Sequence, residues 1–227
     1  MSEIKSVKDA DVKGKRVLVR VDFNAPIQDG KVLDDSRIKA AIPTIKFLQE
    51  KGAEKIILIS HLGRPNGKTV ESLKMKPVAE NISQNLTSKK SSDLSSAPSY
   101  GAASQTFLQQ GFVSYQIEEN IFLLENLRFA PREEANDDEF AKELAALGDI
   151  FVNEAFADSH REHASIVGIP KYLPSFIGLR FEEEIKNLSG ALTPPAGSIA
   201  LIGGAKFETK HEGCRSTDET DHGLCAR

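Results

Sequence analysis

Short apolar runs, separated by stretches of helical periodicity, constrain the fold of this chain more than any other feature. Five such runs occur: 16–21 (RVLVRV), 55–60 (KIILIS), 121–127 (IFLLENL), 149–156 (DIFVNEAF) and 198–206 (SIALIGGAK). Each is the length of a buried strand and too short for a buried helix. Between the first two, Ile38, Ala41, Ile42, Ile45 and Leu48 recur at helical spacing, and Gly52 is a stop signal. Pro43 is expected to kink this helix or reset its start. Residues 69–86 read as a second helix, begun again near Pro77. Residues 136–148 read as a third, with Asn136 as its cap, Glu139 three residues on and Gly148 as its stop. Strands alternating with helices predict βαβ units: an α/β fold with a doubly wound parallel sheet and flanking helices.

Two segments break the alternation. Residues 87–120 begin TSKKSSDLSSAPSYGAASQTF, which is Ser-rich and without sustained periodicity. Residues 211–227 have almost no apolar side chains and are expected to form an irregular tail.

Charge and composition exclude several classes. A net charge of −4 gives no general attraction to nucleic acid or to anionic membranes. No apolar run approaches the ~20 residues that cross a bilayer, and the N-terminus lacks an apolar signal core. Both cysteines, Cys214 and Cys225, fall near the C-terminus, which is no disulfide framework and suits a reducing compartment. The expectation is a soluble cytoplasmic protein without a nucleic-acid or membrane partner.

The chemistry collects where the apolar runs end. Asp22 and Asn24 follow the first run, His61 and Arg64 the second, Arg128 the third and Arg161 the fourth, while Arg37 opens the first helix. In a doubly wound sheet the carboxyl ends of the strands share one edge, where ligands bind. Four arginines and a histidine brought there form a basic pocket, and the planar guanidinium fork suits phosphate and carboxylate. Asp22 either hydrogen-bonds a ligand hydroxyl or holds an arginine in place. The pocket reads a small phosphorylated hydroxy acid. His160 and His163 together with His61 invite a metal reading, but no spaced cysteines or carboxylates accompany them.

The segments RVDFNAP (20–26), SRI and PTI (36–38 and 43–45), SHLGRP (60–65), LLENLRF (123–129), SHREHAS (159–165) and GGAK with a lysine four residues on (203–210) occur in an order that resembles phosphoglycerate kinase. The matching motifs run from about residue 5 to 86 and from 121 to 210. The resemblance implies reversible phosphoryl transfer between ATP and the carboxylate of 3-phosphoglycerate, the glycolytic step that forms or consumes 1,3-bisphosphoglycerate. It implies that Asp22, Asn24, Arg37, His61, Arg64, Arg128 and Arg161 bind the substrate and that Lys206 and Lys210 contact the nucleotide. Arg37 and Lys206 are then the catalytic pair at the moving phosphoryl group. Mg²⁺ arrives with ATP or ADP, and the protein is expected to be a monomer. GGAKFETK is not a Walker motif, since it lacks the G-x-x-x-x-G-K-[ST] spacing.

By the same resemblance, residues 1–188 are the 3-phosphoglycerate domain, with 87–120 atypical, and 189–210 begin a nucleotide domain. The family's pattern stops at Lys210, so the chain is expected to be truncated there. Two alternatives stand beside the kinase: a non-catalytic phosphoglycerate-binding module, and a product without turnover.

Overall fold

Both faces of the central strands are covered, which is why their sequences are apolar without alternation. A computed structural model of the chain describes residues 4–87, 104–107 and 111–192. In β1 (Arg16–Arg20) and β4 (Lys55–Ile59), every residue after the first is buried. The two strands pair in parallel, Val17 opposite Ile56 and Val19 opposite Leu58. On one face, Val17, Val19, Ile56 and Leu58 pack with Ile38, Ile45 and Leu48 of α1 (Ser36–Glu50) and with Val78 and Ile82 of α2 (Lys76–Thr87). On the other, Leu18, Ile57 and Ile59 pack with Phe140 and Leu144 of α4 (Asp138–Ala145). Along the chain a small hairpin, β2 (Ile27–Gln28) and β3 (Lys31–Val32), precedes α1, and a one-turn helix, α3 (Pro131–Glu134), precedes α4.

The sheet has seven strands among the described residues, in the order β5 (Ser104–Phe107), β6 (Val113–Glu118), β7 (Ile121–Leu124), β4, β1, β8 (Ile150–Asn153), β9 (Ser175–Ile177). The chain moves outward from β1 to β4 and β7 (Ile121–Leu124), then returns to the other side of β1 to lay down β8 (Ile150–Asn153) and β9 (Ser175–Ile177). These five strands are parallel, so the expected doubly wound α/β sheet is present. The reversal beside β1 makes its carboxyl edge a place where loops diverge and leave a crevice.

Four details depart from expectation. Residues 87–120 contribute two strands, β5 (Ser104–Phe107) and β6 (Val113–Glu118). β6 runs antiparallel to β7, and β5 antiparallel to β6, so this margin of the sheet is mixed. The reason is length: only Glu119 and Asn120 separate β6 from β7, enough for a hairpin and far too few for a crossover. The helix α1 runs through Pro43 without interruption. Its buried stripe of Ile38, Ala41, Ile45 and Leu48, at about 1.5–3 kcal/mol for each large aliphatic, outweighs the ~3 kcal/mol that an internal proline costs. Asn136 does not cap α4; it adopts a left-handed φ of 52°, and Asp137 is the cap, accepting from Phe140 N. The strand β9 has no signature in sequence, being three half-buried residues. The run at 198–206 and the tail at 211–227 lie outside the described residues.

The chain divides into two units, Met1–Glu184 and Ile185–Arg227. The last described helix, α5 (Leu179–Leu192), begins in the first. Among the described residues no helix is long and apolar enough to cross a membrane.

Candidate functional site

Each strand exit is tied to its neighbour by backbone-directed hydrogen bonds, and these ties set where the polar side chains stand. After β1, Phe23 is fully buried and its N–H donates to Ser60 Oγ at 3.0 Å, while Ser60 Oγ donates to Val21 O at 2.9 Å. This clamps the β1 exit to the β4 exit. Asn24 Oδ1 then accepts from Gly63 N at 2.9 Å. Gly63 has φ +61°, a left-handed turn that a side chain would strain, and a Cβ there would meet Leu73 at 2.8 Å. After β7, Asn126 accepts from Leu62 N and Arg128 N and donates to Leu62 O and Leu73 O. One amide side chain thus joins the β7 exit to the β4 exit and starts the 3-10 turn Leu127–Phe129 that carries Arg128.

The result is a cleft of about 300 Å³ lined by Asp22, Asn24, Arg37, His61, Arg64, Arg128 and Arg161, with Gly63, Ala157 and Asp158. The six residues singled out at the strand exits and Arg37 at the start of α1 therefore meet in one place. Lys206 and Lys210 lie outside the described residues.

Four guanidinium groups face two carboxylates in this cleft, so its local charge is positive on a chain that is acidic as a whole. The carboxylates are engaged: Asp22 pairs with Arg37, and Asp158 lies 3.3 Å from Arg161 Nε. Arg128 is the most enclosed of the four arginines that line the cleft, with its side chain 2% exposed. Its Nη1 donates to Gly63 O at 2.8 Å; its Nε lies 3.1 Å from Glu134 as an ion pair without forming a hydrogen bond, and its Nη2 is likewise buried without a hydrogen-bond partner among the described residues. A buried guanidinium nitrogen left open is costly unless a ligand oxygen completes it. Arg64 is exposed and has no ion-pair partner among the described residues.

His61 is buried, and burial together with the adjacent Arg20 charge pushes its imidazole down to about 3, against the opposing pull of Asp158. It is neutral at neutral pH and acts as a hydrogen-bonding group, not as a cation. Asp22, His61 and Asp158 place ligand-type atoms within 4.8 Å of one another. Both acids already face guanidinium groups, Asp22 that of Arg37, and Asp158 those of Arg161 and the buried Arg20.

Sequence reasoning passed over Arg20, Asp158 and Glu154. Arg20 has a visible signal, a charge between Val19 and Val21 in a largely apolar run. Asp158 and Glu154 lie within the fourth exit and look there like ordinary loop acids.

A family model described as phosphoglycerate kinase matches residues 7–217. The chain belongs to the phosphoglycerate kinase family. A phosphoglycerate kinase from Roseiflexus castenholzii (strain DSM 13941 / HLO8) is 46% identical over 210 residues, covering 91% of this chain and 51% of that protein. One from Roseiflexus sp. (strain RS-1) is 45% identical over the same length and coverage. Among solved structures, phosphoglycerate kinase from Coxiella burnetii superposes with a TM-score of 0.74 at 32% identity, over 94% of this chain and 51% of that one. The enzyme from Pyrococcus horikoshii OT3 gives 0.73 at 28% identity, over 96% and 53%. The chain thus spans about half the length of the phosphoglycerate kinases it matches, and its matched part contains the cleft.

Proposed function

We propose that the cleft binds 3-phosphoglycerate and its acyl phosphate, 1,3-bisphosphoglycerate, as the acid-substrate half of a kinase that uses ATP and ADP in glycolysis. The observation that carries this reading is the convergence of Arg37, Arg64, Arg128 and Arg161 on one cleft, with Arg128 Nη2 buried and open. A ligand with two anionic ends and a hydroxyl uses the cations at its ends and leaves Asp22, Asn24 and His61 to its middle. Residues 1–188 form the substrate domain in this proposal, and 189–210 begin the domain to which Lys206 and Lys210 bring the nucleotide.

Phosphoryl transfer asks the protein mainly for positioning and for neutralisation of charge. The clamped exits supply positioning, since Asn126 and Ser60 hold three strand ends in register. Arg37 is half exposed, paired with Asp22 and at the border of a second cavity of about 480 Å³, so it is the cation placed to reach a group entering from outside the cleft. In this reading Mg²⁺ accompanies the nucleotide, the protein works as a cytoplasmic monomer, and the described acids hold no metal of their own.

A coupled kinase assay on the purified 227-residue chain, run beside calorimetric titration with 3-phosphoglycerate, tests the reading. Binding with little turnover is expected, because alignment of two substrates contributes about 7–11 kcal/mol and the cleft aligns one of them. Joining a nucleotide domain after Lys210 should restore turnover, and Arg37→Ala in that fusion should remove most of it. A fusion that binds both substrates yet ignores Arg37→Ala contradicts the role given to Arg37.

A further inference from the structure

Behind two residues that line the cleft, His61 and Asp158, stands a cation that does not itself line it. Arg20, the last residue of β1, has a side chain that is 0% exposed. Its Nε donates to Ser165 Oγ at 3.0 Å, Nη1 donates to Val21 O, and Nη2 lies 3.1 Å from His61 Nδ1 and 3.4 Å from Asp158 Oδ2. Asp158 Oδ2 is itself 3.4 Å from His61 Nδ1. Three buried groups thus form a triangle in which two partners compete for one ring nitrogen.

The competition has two outcomes of opposite chemistry. A guanidinium has donors only, so a nitrogen facing it must offer its lone pair. The proton of a neutral imidazole then sits on Nε2. Were Asp158 to win, Nδ1 would carry the proton and Nε2 would be left with a lone pair, an acceptor where an anion is to dock. We propose that Arg20 is a positioning residue that fixes His61 in its Nε2–H tautomer, by donating to Nδ1 while occupying Asp158 Oδ2, so that the ring serves the cleft as a neutral donor. Burial and the Arg20 charge act in the same sense, since both disfavour a second proton on the ring. The groups around His61 come from several elements: Arg20 from β1, Asp22 after it, Arg128 after β7, and Asp158 and Arg161 after β8.

The consequence for binding rests on the anion reading of the cleft; the tautomer does not. Long-range ¹H–¹⁵N spectra of the ligand-free, ¹⁵N-histidine-labelled chain read it directly, with His61 assigned by its loss in His61→Asn. The expected result is an unprotonated Nδ1 and a protonated Nε2, unchanged between pH 8 and 5. In Arg20→Met the ring should switch to Nδ1–H, titrate higher than in the unmutated chain because one of the charges that push it down is gone, and bind 3-phosphoglycerate about tenfold or more weakly with Arg64, Arg128 and Arg161 intact. In Asp158→Asn, with Arg20 still present, the Nε2–H form should persist. An Nδ1–H signature in the unmutated chain, or an Nε2–H ring that survives Arg20→Met, overturns the proposal. If Arg20→Met does not fold, the unmutated and Asp158→Asn spectra still decide. The expected tautomer in a chain that fails to bind 3-phosphoglycerate overturns the ligand reading and upholds the role of Arg20 on the ring.

Discussion

Replacing Glu154 with Gln should flatten one component of the pH dependence of stability. The Glu154 carboxyl is 4% exposed. Its Oε1 accepts from Thr44 Oγ1 at 2.5 Å and from Arg180 N at 3.1 Å, and its Oε2 from Phe181 N at 3.4 Å, so it joins α1 to the start of α5. Burial nevertheless dominates these favourable contacts and pushes the carboxyl up to about 7 from an ordinary 4.5. Between those values the folded chain holds a proton that the unfolded chain has released. Stability from this group is therefore fully present below about pH 4.5 and is lost as pH rises through 7. At about 1.36 kcal/mol per unit the total is about 3 kcal/mol, of which about 2 kcal/mol falls between pH 5.5 and 7.5. His61 runs the other way: its folded value lies below 6.5, so its contribution is complete above 6.5 and fades as pH falls towards 3. The unmutated curve sums both slopes, and only the difference from Glu154→Gln isolates the carboxyl. Urea unfolding of the two proteins at half-unit steps from pH 5 to 8 measures it, provided the m-values agree. The unmutated chain should lose about 2 kcal/mol relative to the variant between pH 5.5 and 7.5. Parallel stability curves would refute the reasoning.

Gly178→Ala should destabilise by about 2 kcal/mol, because a Cβ there would stand 1.7 Å from Glu154 Oε2 and the hydrogen-bonded carboxyl has no room to withdraw; an unchanged urea midpoint contradicts this. Asp137→Ala should cost about 1 kcal/mol by uncapping α4 at Phe140 N, with the exposed Arg132 pair adding little; thermal melting checks it. Arg64→Ala should leave stability within about 0.5 kcal/mol, since the side chain is exposed, yet weaken 3-phosphoglycerate binding in calorimetry. A loss of stability without a loss of affinity would reverse the role assigned to Arg64.

The strand exits were readable in sequence because their polar groups follow apolar runs within four or five residues, and a parallel sheet sends those exits to one edge. The roles of Arg20 and Glu154 were not readable, because their partners are remote in the chain. Arg20 meets Asp158 across 138 residues and Ser165 across 145, and Glu154 meets Thr44 across 110. No local pattern encodes such contacts; they exist only once β8 has been laid beside β1. The β6–β7 hairpin escaped notice because its turn, Glu119 and Asn120, has neither glycine nor proline to mark it. Pro43 does not restart the helix, since its local penalty is real but is outweighed by the buried stripe of α1. At α4 the error was one residue: two adjacent acceptors compete to cap the helix, and the left-handed φ of Asn136 gives the place to Asp137.

Thermal melting of the chain with 3-phosphoglycerate, against glycerol as the uncharged control, tests the central claim most directly. A ligand bound only by the native state stabilises it by about 2.7 kcal/mol at one hundred times its dissociation constant. For a domain of this size that corresponds to a rise of about 5–10 °C in Tm. The account predicts that rise with 3-phosphoglycerate, none with glycerol, and a much smaller rise in Arg128→Met, whose open Nη2 is the group the ligand is expected to complete. A folded chain whose Tm does not move at millimolar 3-phosphoglycerate would contradict it.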